Sequence, residues 1–228
     1  MNILLLALLV ALNFGISWLN AWSVGRSWAD SKAIGGWTRT LAWCGGTMSA
    51  CGFTWCYLVI VAMVAQATGF LPVKYAELSL ELGYVVIILP VLGSGLAIWL
   101  DSVTTAWRKR DVVSIGVAGW NTFAMAHNTY EAATTLPDVF KHIGDTLSGG
   151  DDDDAEGKLV SVAVLLVVIA LCSGVFTTIT IVRSTARKYA TGVIADHGFA
   201  KESREGSPVI CSAGVERPVG GRAARVGA

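Results

Sequence analysis

Residues 151–188 read DDDDAEGKLVSVAVLLVVIALCSGVFTTITIVRSTARK. The middle of this stretch, residues 159–182, carries no charge and is dominated by Val, Leu and Ile. Crossing a ~30 Å hydrocarbon core takes about 20 helical residues, so the run is long enough to span one. Its flanks have opposite character. Four consecutive aspartates, Asp151 to Asp154, precede it, and Arg183, Arg187 and Lys188 follow it. Short loops on the cytoplasmic side of a membrane carry an excess of Lys and Arg, so the carboxyl end of this run is expected inside.

The same asymmetry repeats along the chain. Of 17 Lys and Arg, three lie in residues 25–39 (Arg26, Lys32, Arg39), three are Arg108, Lys109 and Arg110, and eight follow residue 182. The intervening hydrophilic segments hold only Lys74, Lys141 and Lys158, against ten carboxylates. Hydrophobic runs separate the two sets, as in a polytopic membrane protein. Tryptophans follow the basic side (Trp22, Trp28, Trp37, Trp43, Trp99, Trp107). Tyr75, Tyr84 and Tyr130 fall toward the acidic one. Such rings favour the headgroup region.

Composition agrees. Apolar residues make up 54%, mean hydropathy is +0.58 and charged residues are only 15%, where a soluble domain has about 25%. A formal net charge of zero averages a basic and an acidic side. It therefore carries no argument about partners. The basic clusters sit beside candidate spans and accompany no nucleic-acid-binding motif, so nucleic acid is not an expected partner. Of five cysteines, Cys44, Cys51, Cys56 and Cys172 lie inside apolar runs, which excludes a secreted disulfide framework.

The reading predicts an all-α, polytopic membrane protein with five transmembrane helices, N-terminus outside and C-terminus cytoplasmic. The expected spans are residues 2–24, 41–70, 82–107, 112–132 and 159–182. The first resembles a signal-peptide core but lacks a basic leader and a nearby A-x-A-like site, so it is read as uncleaved. The third contains Pro90, which removes a backbone hydrogen bond and is expected to kink the helix a turn earlier. The fourth is the most polar. Residues 134–157 are expected as an acidic outer loop. Residues 184–228 are expected as a basic, largely disordered cytoplasmic tail whose first part extends the last helix.

Polar and small residues recur at helical spacing inside these spans. Asn13, Ser17 and Asn20 share a face of the first. Gly45, Ser49, Gly52 and Cys56 form a small stripe on the second. Asn121, Ala124, Asn128 and Glu131 share a face of the fourth, and Ser173, Thr177, Thr180 and Ser184 of the fifth. Polar groups facing lipid lack partners, so these faces are expected to meet protein or water. Small stripes let helix backbones approach within a bundle or between copies.

Asp101 is the carboxylate placed well within a span, about level with Asn20 and Thr177. A charge there costs roughly 2.5 to 3.5 kcal/mol on insertion scales, so it must pair, protonate or touch water. Arg108 and Lys109 are the expected partners by snorkelling. His127 and Glu131, four residues apart, are expected to meet near the outer interface, and two ligands are too few for a metal site. Asp151 to Asp154 lack the spaced ligands of an EF-hand loop. No Walker loop, GxSxG, HExxH or dinucleotide fingerprint is present. The expectation is a non-enzymatic protein with no cofactor and no metal, in a bacterial-type cytoplasmic membrane. It would act as an oligomeric channel, transporter or pore-like component. The alternative is a membrane-embedded subunit or scaffold whose basic tail binds a partner or anionic lipid. Expected partners are the bilayer, further copies of the chain or a membrane complex.

Overall fold

The structure is a computed structural model that describes the backbone of residues 3–34, 36–148 and 154–199, and the side chains of residues 4–28, 36–146 and 157–189. The described chain is helical throughout apart from its connections. The elements are α1 (Ile3–Ile34), α2 (Trp37–Ala67), α3 (Val73–Lys109), α4 (Val112–Ser148) and α5 (Asp154–Phe199). Met1–Thr191 cluster as one unit and Gly192–Ala228 as a second, in which only the helical backbone of residues 192–199 is described.

Four helices, α1, α2, α3 and α5, are long and apolar enough to cross a membrane. Their apolar side chains point outward as much as inward. The most apolar window of α1 is 11% buried and that of α5 is 28% buried, whereas that of α2 is 50% buried. Leu4, Leu89 and Phe176 are all more than half exposed. A soluble monomer rarely leaves continuous apolar surface of this kind open to water. The four helices therefore suggest a multi-pass membrane protein, with α2 as the central member. The expected fourth span forms the first part of α4, which does not belong to that apolar set.

Local chemistry sets the connections. Gly36 and Gly69 have φ of 63° and 71°, the left-handed region in which a side chain is strained. Gly36 precedes α2. Gly69 follows it, where the Thr68 amide returns to the Val64 carbonyl at 3.0 Å. The turn then seats Leu71, which is 1% exposed, and Pro72 precedes α3. Between α3 and α4 the chain reverses over Arg110 and Asp111. Arg110 is left-handed at φ 53°. Asp111 accepts from the Ser114 amide and the Ser114 hydroxyl, both at 2.8 Å. These bonds hold the Asp111 carboxyl below its ordinary range, the backbone bond being the larger cause.

One segment differs from expectation. Residues 134–148 are helix rather than loop: α4 continues through Pro137 to Ser148. The sequence-based expectation rested on scarce apolar residues. A helix can, however, be held along one side, and here His142 bonds Glu81 on α3 at 2.7 Å. Like the expected third span, α3 contains Pro90, whose ring leaves the Val86 carbonyl without its amide partner. Asp151 to Asp153 and the tail beyond Phe199 lie outside the described residues.

The tightest apolar packing lies where α2 ends, α3 begins and α5 begins. Leu58, Leu71, Leu78, Ala163 and Ala170 are each at most 1% exposed there. Elsewhere α2 meets its neighbours through small residues. A Cβ on Gly174 of α5 would fall 2.6 Å from the Thr54 amide nitrogen and 2.8 Å from the Ala50 carbonyl, so α5 crosses α2 backbone to backbone. A Cβ on Gly25 of α1 would lie 2.8 Å from the Val182 carbonyl. Hydroxyls tie the same seams: Ser49 donates to the Ser17 carbonyl at 2.7 Å and sits 3.3 Å from Thr178 Oγ1. Between membrane helices such bonds average about 0.6 kcal/mol each.

Candidate functional site

Opposite in sequence to that packed end, where α1 and α3 finish and α2 and α4 begin, the helices leave a cavity of about 740 Å³. Each helix contributes one face. From α1 come Asn20, Ser23 and Ser27, and from α2 Thr38 and Gly45. From α3 come Asp101, Ser102 and Thr105, and from α4 Ser114, Asn121 and Asn128. The spacings of three, four and seven residues are those of a single helix side. Much of the wall is apolar, with Ile16, Leu41, Met48, Ile98 and Val117 among its residues; set into it are amides and hydroxyls, which both donate and accept, and one carboxylate, which only accepts when ionised. This donor set suits water or a small cation.

Asp101 is half-buried, and its described hydrogen bond comes from Trp37 Nε1, which donates to Oδ1 at 2.8 Å. Arg108 and Lys109, the expected partners, make no ion pair with it among the described residues. An indole supplies a donor but no charge. The carboxylate therefore keeps acceptor capacity at the cavity wall. A second indole bond joins the walls: Trp99 Nε1 donates to Thr122 Oγ1 at 2.9 Å, tying α3 to α4.

No family model, curated protein or solved structure matches this chain.

The structure brings together four of the polar residues singled out in the sequence, Asn20, Asp101, Asn121 and Asn128, on three helices. It places the others elsewhere. Asn13 belongs to the α1–α2 seam, where Ser17 and Asn13 would both meet a Cβ on Gly52. Gly45 faces Val24 at the edge of the cavity, Ser49 bonds Ser17, and the Cys56 thiol lies 3.6 Å from the Val10 carbonyl, so the small stripe of α2 lies against α1. Thr177 Oγ1 lies 3.0 Å from the Tyr57 hydroxyl in the α2–α5 seam. His127 and Glu131 are exposed and make no described bond to each other. The His127 ring instead stacks on Phe123, 6.1 Å between centroids. Pro90 lines a separate apolar groove. Among the described residues, no three His, Cys, Asp or Glu side chains gather as a metal site would require.

Among the polar partnerships that sequence reasoning missed are Trp37 with Asp101 and Glu81 with His142. Neither of these two has a local signal. The partners are 64 and 61 residues apart, and only helix pairing brings them together.

Proposed function

We propose that this chain is a non-enzymatic permeation component of a bacterial-type cytoplasmic membrane, a small channel, transporter or pore-like protein. Asp101 is its cation-attracting group. The observation that carries this reading is the shared cavity of Asn20, Asp101, Asn121 and Asn128. Intramembrane carboxylates are costly and tend to mark ion or proton routes. Here the carboxylate has a neutral donor rather than a cation to offset it. In this reading α4 is the fifth span, the N-terminus is outside and the C-terminus is cytoplasmic, so the cavity opens from the basic side. Further copies of the chain complete the route beyond Asn128. The deciding experiment is cation flux into liposomes carrying the purified protein. Flux that falls or loses cation preference in Asp101→Asn supports the reading, and no flux with the unaltered chain defeats it.

A second reading, a non-catalytic subunit of a membrane complex, draws on α4. Trp120, Phe123 and Tyr130 are each more than 60% exposed on it, which fits a surface for another protein. Copurification of a stoichiometric partner from native membranes, with no flux, would favour it.

A further inference from the structure

A separate groove of about 570 Å³ lies between α2 and α5, bounded by the end of α1 and by Pro90. Its α2 wall is Trp43, Gly46, Thr47 and Ala50, and its α5 wall runs from Leu171 to Arg183. We propose that this groove holds one acyl chain of an anionic glycerophospholipid from the leaflet on the basic side, with the lipid phosphate on the Arg183 guanidinium.

The groove is dry by construction. Its two threonine hydroxyls are already engaged: Thr47 donates to the Trp43 carbonyl at 3.0 Å, and Thr178 lies 3.3 Å from Ser49 Oγ. Away from the Arg183 end, water entering would find few polar partners, whereas a hydrocarbon chain loses little there. The length also fits. Leu171 and Arg183 are twelve residues apart, about 18 Å at 1.5 Å per residue. One leaflet of a ~30 Å core is about 15 Å deep.

Polarity changes at one end. Arg183 is exposed and, among the described residues, has no ion-pair partner. A guanidinium grips phosphate oxygens bidentately. Trp28 and Trp43 line the groove and pack edge to face at 5.4 Å, and indoles favour headgroup depth. Arg39 lies 5.8 Å from the Trp28 ring centroid and adds a second positive charge near the headgroup. The middle is open: a Cβ on Gly46 would meet nothing within 4 Å. The inference needs only that these helices cross a bilayer, and it stands whether or not the chain conducts.

Native mass spectrometry of the detergent-purified chain tests it, with phosphatidylglycerol and phosphatidylcholine of identical acyl chains as probes. One phosphatidylglycerol per chain should be retained at concentrations that leave phosphatidylcholine unbound. Arg183→Gln should weaken that retention about five-fold, the effect of one basic side chain near an anionic headgroup, and Arg183→Lys should restore part of it. Gly46→Leu projects into open space without a clash and should abolish retention. Equal retention of the two lipids, or retention unaffected by Gly46→Leu, overturns the proposal. A dimer of the chain that Gly46→Leu disrupts would assign the groove to a second copy and also overturn it. Should Arg183→Gln fail to fold, the two-lipid comparison and Gly46→Leu still decide.

Discussion

Trp37, the first residue of α2, donates its indole N–H to the Asp101 carboxylate of α3 across 2.8 Å. The bond orients, without neutralising it, a carboxylate that lines the cavity. A cation in the same place would form a self-contained pair. A neutral donor leaves the charge expressed at the wall of a space already lined by Asn20, Asn121 and Asn128.

The first prediction separates charge from position. Asp101→Asn preserves shape and removes the charge, so cation flux in liposomes should fall or lose selectivity while the thermal midpoint stays near that of the parent. Trp37→Phe removes only the donor. It should leave the sign of selectivity unchanged and lower flux less than Asp101→Asn does. Identical flux in all three proteins would remove Asp101 from the route.

Glycines should sort by what surrounds them. Gly174→Ala pushes a methyl group against the Thr54 amide and Ala50 carbonyl, and Gly52→Leu pushes into Ser17. At Gly174 the backbone cannot yield, and at Gly52 the side-chain carbons added beyond Cβ exceed what the Ser17 side chain can clear, so each should cost about 1–3 kcal/mol, as overpacking does. Gly46→Ala meets open space and should be neutral, or stabilising by up to about 1 kcal/mol through helix propensity. Thermal unfolding in detergent gives all three, and equal midpoints would contradict the helix crossings described.

Acid should loosen the start of α4. The Asp111 carboxyl titrates below its ordinary range because Ser114 donates to its ionised form. A lowered folded-state value means that its contribution is fully present above the ordinary carboxylate range and is lost as pH falls through the lowered one. Hydrogen exchange at the amide of Ser114, relative to that of a mid-helix residue, should therefore rise with acidification below about pH 4. In Asp111→Asn the cap persists as a neutral acceptor, and this pH dependence should vanish. Its survival in the variant would assign it to another group.

The course of α4 is testable by thiol labelling on a background without native cysteines. If α4 crosses the bilayer, cysteines at positions 110 and 145 label from opposite sides, and positions 77 and 145 from the same side. Labelling of 110 and 145 from one side would make α4 a surface helix and leave four spans.

The all-helical architecture and the four long apolar helices were legible in the sequence by itself. Hydropathy over about 20 residues and the alternation of basic and acidic flanks are local quantities that need no partner. The helical period likewise shows which residues share a side, as Gly45, Ser49, Gly52 and Cys56 do. Which neighbour that side meets is not a local property. Asn13, Ser17 and Asn20 share a face of α1, yet Ser17 and Asn13 lie in the α2 seam while Asn20 opens on the cavity. Asp101 found an indole 64 residues away instead of Arg108 or Lys109 close by, and residues 134–148 continue α4, with His142 bonded to Glu81 of α3. Only the tertiary structure decided these outcomes. They depend on the rotation and crossing of each helix, set by the collective packing of small residues between backbones.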